Sequence, residues 1–470
     1  MFNRIDISLE SLANPKPKDS AESASARRTV PAGACGTFFL ETFGCQMNEH
    51  DSEKVAGVLL ARGYRQVETP ESASLILYNT CSIREKAAQK LFSRLGVYRD
   101  LLGGEQKIGV LGCVAQQEGE AIFARAPWVS LVCGSASYRN LPQLLAQLEA
   151  GEERVSGLGI DTDETFETEV TRRDNPWRAY ITIIEGCDKA CAYCVVPFTR
   201  GPERSRDSAR ILAELRKLAE LGYSEVQFLG QTVNSYADPS PRKMRFSELL
   251  LEAAQVPGIR RVRFTTSHPR DFTPDIVAAI DAHPGICNHV HLPVQSGSTR
   301  VLRAMQRTYS RDEYLEKIAM IRGARRRTAI TTDIIVGFPG ESEAEFDETL
   351  SLLDVVKYDG VFSFKYSPRP NTPATAMPDA IPEEEKSRRL SLLQEKQRRI
   401  QIESLRGLAG NIFEVHVDGK SKKENHWHGH SSCNRVVNFA STQDDILGRY
   451  VAVRVNGCTP NSLLGEHTSN

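Results

Sequence analysis

Short apolar runs that alternate with helix-forming segments recur along most of the chain, and this alternation restricts its fold more than any other feature. Strands that alternate with helices form parallel sheets, because a parallel connection needs a crossover about as long as a helix. The first series of this kind predicts a small parallel α/β domain over residues 36–150. Its apolar runs lie near 37–43, 74–80, 107–113 and 129–135, with helical patterns over 52–62 and 85–95.

A second strand–helix series follows, and the number of its units predicts an incomplete barrel. Six units are too few for the full eight-unit (β/α) barrel. We therefore predict a partial, open (β/α)6 barrel over residues 173–404, ending in a long helical pattern over 382–408. The six predicted strands are 180–184, 226–229, 262–266, 289–292, 330–336 and 361–365, and helical patterns between them include 207–221, 311–322 and 343–355.

The remaining segments differ in composition from these two series. Residues 1–35 are rich in Pro, Lys, Ser and Ala, which predicts a disordered leader. Residues 151–172 are polar and acidic without periodicity, which predicts a linker. Over 405–470 the apolar runs become short and alternating, with Gly, Asn and Asp between them, which predicts a small antiparallel β domain. The fold class is therefore expected to be α/β, with three folded domains.

The overall composition excludes several classes of protein. With 59 basic and 60 acidic residues the net charge is −1, so only a local patch would bind nucleic acid. No apolar stretch approaches the roughly 20 residues that span a bilayer, and the N-terminus lacks the apolar core of a secretory signal. We expect a cytoplasmic enzyme without a membrane partner. Thiols stay reduced in that compartment, so the 11 cysteines favour metal binding or catalysis over disulfides.

Cys187, Cys191 and Cys194 form a C-x3-C-x2-C pattern just beyond the first strand of the second series. Thiolates are the ligands of iron–sulfur clusters, and three of them leave one iron of a 4Fe–4S cube without a protein ligand. S-adenosylmethionine (SAM) fits that open position, and an electron passed to its sulfonium breaks a carbon–sulfur bond. The alternative is a structural zinc site or three unrelated thiols, although zinc usually takes four ligands and no fourth Cys or His is near in sequence. The pattern predicts a cluster that cleaves SAM.

Cys45, Cys81 and Cys113 each follow one of the first three predicted strands. Because the carboxyl ends of parallel strands meet at one edge of a sheet, thiols that are distant in sequence can converge there. Three converging thiolates would hold a second cluster, again with one open iron. Spacing alone fits buried structural cysteines equally well, and the position at successive strand ends favours the cluster. The isolated cysteines are predicted to be structural, namely Cys35, Cys133, Cys287, Cys433 and Cys458.

Several long segments resemble the methylthiotransferase family of radical SAM enzymes. The similarity extends over about residues 37–470 in three parts: the methylthiotransferase N-terminal domain, a radical SAM core and a C-terminal TRAM domain. Within the family, the segments are closest to the branch that acts on isopentenyl-adenosine in tRNA. They are GCQMNEHDSEK, NTCSIREKA, GCVAQQEGE, EGCDKACAYCVVPFTRGPERSR and LPVQSGS.

This resemblance implies a reaction, two kinds of cofactor and two partners. The implied reaction adds a methylthio group to C2 of N6-isopentenyladenosine next to the anticodon of tRNA, with two SAM and two 4Fe–4S clusters. The second cysteine set would hold the SAM-cleaving cluster and the first set an auxiliary one. The partners would be the tRNA anticodon stem-loop and an electron donor such as flavodoxin or ferredoxin, and the enzyme is expected to be a monomer. Alternatives are action on a ribosomal protein aspartate or on threonylcarbamoyl-adenosine, or a non-catalytic iron–sulfur RNA-binding protein.

Five residues are expected to contact SAM. In radical SAM enzymes an aromatic residue at the position of Tyr193, inside the cysteine triad, packs near the adenine, and the alternative is an ordinary core ring. Gln231, Asn234, Ser267 and Gln295 follow predicted strands, where a barrel of this kind places its ligands. Each of these polar residues also fits an ordinary turn.

Arg200, Arg204 and Arg206 follow the triad and have two interpretations. Facing a nucleic acid, they would contact phosphates. Otherwise they are solvated or pair with neighbouring acids such as Glu203 and Asp207.

The C-terminal domain departs from the basic character that TRAM domains are expected to have. Residues 411–470 hold six basic and six acidic residues, so few cations are left to bind RNA. Trp427 is a candidate for stacking on a base. The predicted RNA contacts are Lys420, Lys422, Lys423 and Arg435, and the alternating His426, His428 and His430 are expected to be exposed loop residues rather than metal ligands.

Overall fold

A computed structural model describes residues 36–82, 85–98, 106–160, 171–378, 380–421, 423 and 425–468. Its contacts divide the chain into two compact units. The first runs to Asp174 and also includes Phe198–Gly201, and the second comprises Asn175–Pro197 and the described residues from Pro202 onward. The predicted leader lies outside the described residues. Within them, no helix is both long enough and apolar enough to cross a membrane.

The first unit is built on a six-stranded parallel sheet in the order β2-β1-β3-β4-β5-β6. Alternate residues of its strands enter two separate apolar clusters, for example Leu77 in one and Ile76 in the other, so both faces of the sheet are covered. Its elements are β1 (Gly36–Phe43), α1 (Gln46–Ala61), β2 (Tyr64–Gln66), β3 (Leu75–Thr80), α2 (Glu85–Tyr98), β4 (Lys107–Gly112), α3 (Cys113–Glu118), α4 (Ala121–Arg125), β5 (Leu131–Gly134), α5 (Leu141–Glu149) and β6 (Val155–Gly157).

Three elements of this unit differ from the sequence prediction. β2 and β6 are edge strands of three residues, too short to show an alternating pattern. Because β6 pairs with β5, the predicted linker over 151–172 is wrong at its start. Helix α1 begins at Gln46, six residues before the predicted start at 52, because its first turns bury polar residues such as Asn48 and Asp51.

The second unit contains six parallel strands in two sheets, β7-β10-β11 and β12-β13-β14, close to the six predicted ranges. An isolated parallel bridge joins Val262 of β11 to Ile286, three residues before β12 begins. The elements are β7 (Arg178–Thr182), β8 (Ile184–Glu185), α6 (Val196–Arg200), β9 (Arg204–Ser205), α7 (Ser208–Glu220), β10 (Glu225–Leu229), α8 (Phe246–Ala254), β11 (Arg261–Phe264), α9 (Pro274–Ala282), β12 (His289–His291), α10 (Thr299–Ala304), α11 (Arg311–Arg322), β13 (Ala329–Val336), α12 (Glu343–Val356), β14 (Gly360–Lys365) and α13 (Glu383–Arg406).

Capping residues define where two of these helices begin. Ser310 precedes α11, and its hydroxyl accepts from Glu313 N at 3.2 Å while its own N–H donates to the Glu313 carboxylate at 2.6 Å. Ser342 and Glu345 form the same reciprocal pair at the start of α12. Such capping boxes are readable in sequence, and both helices start within one residue of the predicted position.

Five strands at the C-terminus close into a barrel in the order β15-β16-β17-β19-β18. Four neighbouring pairs are antiparallel and one, β17 with β19, is parallel. Val415, Trp427, Phe439 and Leu463 are among the side chains that fill its interior. The strands are β15 (Ile412–Lys420), β16 (His426–Ser431), β17 (Val436–Ala440), β18 (Tyr450–Cys458) and β19 (Leu463–His467).

Two buried arginines of β11 attach this C-terminal barrel to the partial barrel. Arg261 donates to His430 O and Glu414 O, each at 2.7 Å. Arg263 donates to Ser431 O at 2.7 Å and, through Nε, to the Glu225 carboxylate at 2.8 Å. The arginines thus satisfy strand carbonyls that would otherwise be buried without donors.

Candidate functional site

The loop that carries the cysteine triad follows β8 and is fixed by backbone hydrogen bonds on both sides. Ala192 N donates to Met305 O, and Ala374 N donates to Ala192 O, each at 2.9 Å. Cys194 N closes a turn with Cys191 O at 3.0 Å. An apolar cluster that includes Ala192, Met305 and Ala374 packs beneath the loop. The triad is therefore placed on a rigid support at the carboxyl end of β8.

The three thiols of this loop are free, and two of them are buried. Cys187 Sγ lies 3.6 Å from Thr232 Oγ1, and Cys191 Sγ accepts from Arg307 Nη1 at 3.3 Å. Burial raises the pKa of Cys187 and raises that of Cys194 to about 12, so a metal would have to displace the thiol protons on binding.

Within the described residues, no three His, Cys, Asp or Glu side chains converge as they would around one metal ion. A 4Fe–4S cube makes a different demand, because each thiolate binds a different iron and the sulfurs are correspondingly further apart. Three free thiols on a fixed loop fit that larger group.

Two of the predicted SAM contacts have a buried side-chain oxygen that lacks a hydrogen-bond partner among the described residues. They are Gln231 Oε1, two residues beyond the end of β10, and Ser267 Oγ, three residues beyond the end of β11. Buried polar atoms are nearly always satisfied, so each of these requires a ligand or water. The predicted SAM contacts at Gln231 and Ser267 are compatible with this finding, which also supports the fit of SAM to the site.

Gln295 and Tyr193, two further predicted SAM contacts, are held in distinct ways. Gln295 adopts a left-handed conformation with φ +76°, and its N–H and C=O bond to Asp333 and Ile335 of β13, each at 2.9 Å. A non-glycine residue held there is typical of functional loops. Tyr193 packs against the apolar cluster beneath the triad, and burial raises its pKa well above the usual value.

The side chain of Asn234 joins two loops rather than standing free for a ligand. Its Nδ2 donates to His268 O at 2.9 Å, and its Oδ1 accepts from His268 N at 2.8 Å. These two hydrogen bonds fix the orientation of the amide, and the SAM contact of Asn234 stays a prediction. Lys189 within the triad loop has a similar function, because it pairs with Asp271 at 2.6 Å. Despite burial, which acts to raise it, hydrogen bonds from Lys189 and Ser235 lower the pKa of Asp271 to about 2.

The three arginines after the triad pair with acids, so the interpretation as phosphate contacts is wrong for the two that are buried. Arg206 is 5% exposed and bonds Glu214 and the carbonyl of Thr182. Arg200, in the first unit, is 5% exposed and pairs with Asp51 at 2.5 Å. Arg204 lies 3.4 Å from Glu185.

The N-terminal thiols lie at the carboxyl ends of three strands that are neighbours in the sheet. Cys45 follows β1, Cys81 follows β3 and Cys113 follows β4. The backbone at Gly44 approaches so closely that a Cβ there would stand 2.8 Å from the Cys81 Cβ. At Gly112, where φ is +93°, a Cβ would stand 2.8 Å from Thr80 O. Glycines before two of the cysteines therefore let the three strand ends meet, and this arrangement suits a cluster.

Two asparagines that the sequence did not single out organise this edge. Asn48 Oδ1 accepts from Cys45 Sγ at 3.3 Å, and Asn48 Nδ2 donates to Asn79 Oδ1 at 3.2 Å. Asn79 in turn accepts from the Tyr138 hydroxyl at 3.1 Å. Both asparagines are fully buried. Both asparagines lie within sequence segments that also carry a cysteine, GCQMNEHDSEK and NTC, and this proximity could have identified them as residues of the same site.

The predicted RNA contacts of the C-terminal barrel do not form one group. Lys420 is 62% exposed, with its ammonium 3.6 Å from Asp444, and Lys423 is also exposed. Lys422 lies outside the described residues. Arg435 is mostly buried and pairs with Asp359 of the partial barrel, so its prediction as an RNA contact is wrong.

Two further expectations for this barrel are also wrong. Trp427 is 2% exposed inside the barrel core, so it does not offer its ring to a base. The three histidines lie on strand β16 rather than in a loop, and His430 is buried against Asp418.

Three known families match successive parts of the chain. Residues 37–134 match Uncharacterized protein family UPF0004, residues 181–353 match the Radical SAM superfamily, and residues 408–468 match the TRAM domain. These ranges coincide with the N-terminal sheet, the partial barrel and the C-terminal barrel. Fold, triad and matches together define a radical SAM enzyme, which binds SAM and an iron–sulfur cluster.

Curated relatives narrow this class. A tRNA-2-methylthio-N(6)-dimethylallyladenosine synthase of Solibacter usitatus (strain Ellin6076) is 63% identical over 434 residues, which cover 92% of this chain and 97% of the relative. The synthase of Koribacter versatilis (strain Ellin345) is 59% identical, with 92% and 98% covered. The chain belongs to the family of tRNA-2-methylthio-N(6)-dimethylallyladenosine synthases, which confirms the methylthiotransferase resemblance.

Solved structures bear on the fold alone. The radical S-adenosylmethionine methyltransferase TsrM from Kitasatospora setae, with tryptophan substrate and a SAM analog bound, is 13% identical with a TM-score of 0.55. The match covers 72% of this chain and 74% of that one. It supports the predicted α/β architecture with a radical SAM core.

Proposed function

We propose that this enzyme adds a methylthio group to C2 of N6-isopentenyladenosine next to the anticodon of tRNA, using two 4Fe–4S clusters and two SAM molecules. The names of its curated relatives support the substrate. The observation that carries the proposal is a second set of thiols, Cys45, Cys81 and Cys113, at adjacent strand ends of the first unit. A radical enzyme that only cleaved SAM would need one set.

Within the second unit, Cys187, Cys191 and Cys194 would hold the cluster that binds SAM. When bound, cluster and SAM supply the one-electron chemistry that activates an inert C–H bond. The chain orients the cofactor. Gln231 and Ser267 present unsatisfied oxygens, and Asn234 holds the loops that carry them.

Within the first unit, the three N-terminal thiols would hold an auxiliary cluster that serves as the site of sulfur and methyl transfer. Asn48 and Asn79 fix the strand ends that carry the thiols.

The remaining partners follow from the same chemistry. A low-potential one-electron carrier such as flavodoxin or ferredoxin would reduce the enzyme, and the TRAM domain would contact the anticodon stem-loop of tRNA. The enzyme is proposed to act as a monomer, for which light scattering of the purified chain is the direct measurement.

Iron content after anaerobic reconstitution tests the two-cluster assignment. We expect about eight irons per wild-type chain and about four in Cys113→Ala or Cys191→Ala. Matched controls are Cys133→Ala in the first unit and Cys287→Ala in the second, because both cysteines are buried and neither belongs to a proposed ligand set. Four irons in the wild type, or full iron in the two ligand variants, would contradict the assignment.

Mass spectrometry of tRNA nucleosides tests the substrate. A strain that lacks this enzyme should accumulate isopentenyladenosine without its methylthio group, and the wild-type gene should restore it. Complementation by Cys113→Ala should fail, whereas Cys133→Ala should succeed. If the methylthio nucleoside persists in the deletion strain, the substrate is a different one, such as threonylcarbamoyl-adenosine or a ribosomal protein aspartate.

A further inference from the structure

Arg307 is a buried arginine that the reaction outlined above does not use. It follows α10 and is 7% exposed. Its three donor groups have defined acceptors: Nη1 donates to Cys191 Sγ at 3.3 Å, Nη2 to Pro293 O at 3.0 Å and Nε to the Tyr309 hydroxyl at 2.8 Å. The Tyr309 hydroxyl lies 3.0 Å from Val294 O and is itself buried. The guanidinium is therefore fixed in one orientation against the cysteine.

What distinguishes Arg307 is that no carboxylate lies beside it in the part of the chain that the structure describes. Other buried arginines have one, as in the pairs of Arg200 with Asp51, Arg263 with Glu225 and Arg389 with Glu341. No described Asp or Glu forms an ion pair with Arg307, and the groups that act most strongly on its charge are Tyr193, Tyr309 and Cys191. An unpaired buried charge is strongly destabilising, so a negative partner is required. Cys191, as a cluster ligand, would supply that partner.

We infer that Arg307 is a positioning residue for electron entry, which holds a fixed positive charge against the Cys191 ligand and favours one-electron reduction of the bound cluster. This inference rests on the proposed assignment of Cys191 as an iron ligand. Reduction moves one electron from the one-electron carrier to the cluster, and no proton or bond changes place. The cluster becomes more negative by one charge, and a cation at the ligand sulfur stabilises the reduced form more than the oxidised form. Hydrogen bonds to cluster sulfurs are an established determinant of potential.

The midpoint potential of the reconstituted full chain is the decisive measurement. It is read from the electron paramagnetic resonance signal that changes when SAM is added, because that signal identifies the SAM-binding cluster. Arg307→Gln should retain its iron and lower the equilibrium constant for reduction about tenfold, which for one electron is about 59 mV toward negative potential. Arg307→Lys keeps the charge but loses the planar contacts, and it should fall between Arg307→Gln and the wild type.

Arg303→Gln is the matched control, because Arg303 lies on α10, one turn before Arg307, and is exposed. It removes the same charge and should leave the potential unchanged. In whichever Arg307 variant loads iron normally, a midpoint equal to that of the wild type would overturn the inference. A variant of Cys191 separates this result from the assignment beneath it: if Cys191→Ala keeps all its iron and the SAM-responsive signal, the ligand assignment itself fails.

Discussion

At the scale of single residues, the buried pair of Asp51 and Arg200 is expected to make the first unit sensitive to one substitution. The two side chains are 1% and 6% exposed, so removing the acid takes a buried ion-pair partner away from Arg200. We expect Asp51→Asn to lower the free energy of unfolding of this unit by about 3–5 kcal/mol. Pulse proteolysis in urea, read from cleavage within residues 36–174, measures it. Glu41→Gln, which breaks a more exposed pair with Arg94, should cost less than about 1 kcal/mol.

Glu53, two residues further along α1 than Asp51, is expected to destabilise the first unit at neutral pH, whereas Asp51 stabilises it. Burial raises its pKa from 4.5 to about 7, although Arg173 acts to lower it. The folded state therefore binds the proton more tightly than the unfolded state, and this group's contribution to stability falls as the pH rises from 4.5 to about 7. Above that range, ionisation of the buried Glu53 carboxyl lowers the free energy of unfolding by roughly 3 kcal/mol.

The corresponding variant is Glu53→Gln, measured by the same proteolysis at pH 5 and pH 8. It should be more stable than the wild type at pH 8, and the gain should be much smaller at pH 5. An equal effect at both pH values would show that the carboxyl is ionised throughout, and Glu41→Gln again controls for the loss of a charge.

The residues that sequence could assign are those whose chemistry is specific to their type. Three cysteines at short spacing predict a cluster, and one cysteine at the end of each strand favours a cluster over buried structural cysteines. Arginine carries no such specificity: Arg200, Arg307 and Arg435 share a side chain, and only the fold decides whether its neighbour is Asp51, a thiol or Asp359. Arg307 stands 116 positions from Cys191, so no local pattern connects them.

At the scale of elements, periodicity predicted the long strands and helices because each buries a continuous face. The six strands of the partial barrel, and helix Arg311–Arg322, match the pattern closely. The elements it missed, Tyr64–Gln66 and Val155–Gly157, are stabilised by pairing at a sheet edge. That pairing depends on a neighbour distant in sequence, so three residues alone cannot reveal it.

Strand β11 yields the prediction at this scale. Arg263 joins it to β16 of the C-terminal barrel and also neutralises Glu225, which is 2% exposed. We expect Arg263→Met to destabilise the contact by about 3 kcal/mol or more, because Glu225 loses its closest cation and the carbonyls of Ser431 and Ser432 lose a donor. Hydrogen exchange of β15 and β16 amides, measured by mass spectrometry, should accelerate accordingly.

The neighbouring Arg260 provides the control for this prediction. It is 53% exposed and pairs with Glu414 at the surface, so Arg260→Met should change exchange in β15 and β16 little. If Arg263→Met leaves exchange in the C-terminal barrel unaltered, the barrel is held by its apolar contacts instead.

At the scale of the whole molecule, the sequence predicted an α/β fold with three folded parts, and three family matches follow one another along the chain in the same order. The pattern could not show that the C-terminal barrel belongs to the same compact unit as the partial barrel. The contacts responsible are arginines donating to backbone carbonyls, and a carbonyl is present at every residue. Any binding surface on the C-terminal barrel consequently has a fixed position relative to the partial barrel.

The near-neutral charge of the chain predicts weak dependence of RNA binding on salt. Arg435 is committed to Asp359, which leaves Lys420 and Lys423 as the described residues among the predicted RNA contacts with exposed side chains. If each contacts one phosphate, Lys420→Ala with Lys423→Ala should reduce the slope of log K against log salt by roughly 1.4, at about 0.7 per contact with single-stranded RNA. Fluorescence anisotropy of an isopentenyladenosine anticodon stem-loop between about 50 and 200 mM salt measures the slope.

The control removes two exposed cations from α7 of the partial barrel. Arg216→Ala with Lys217→Ala should leave the slope unchanged. Both double variants lose two positive charges, but only the first removes predicted phosphate contacts. Equal slopes for the two would therefore show that Lys420 and Lys423 do not contact the RNA.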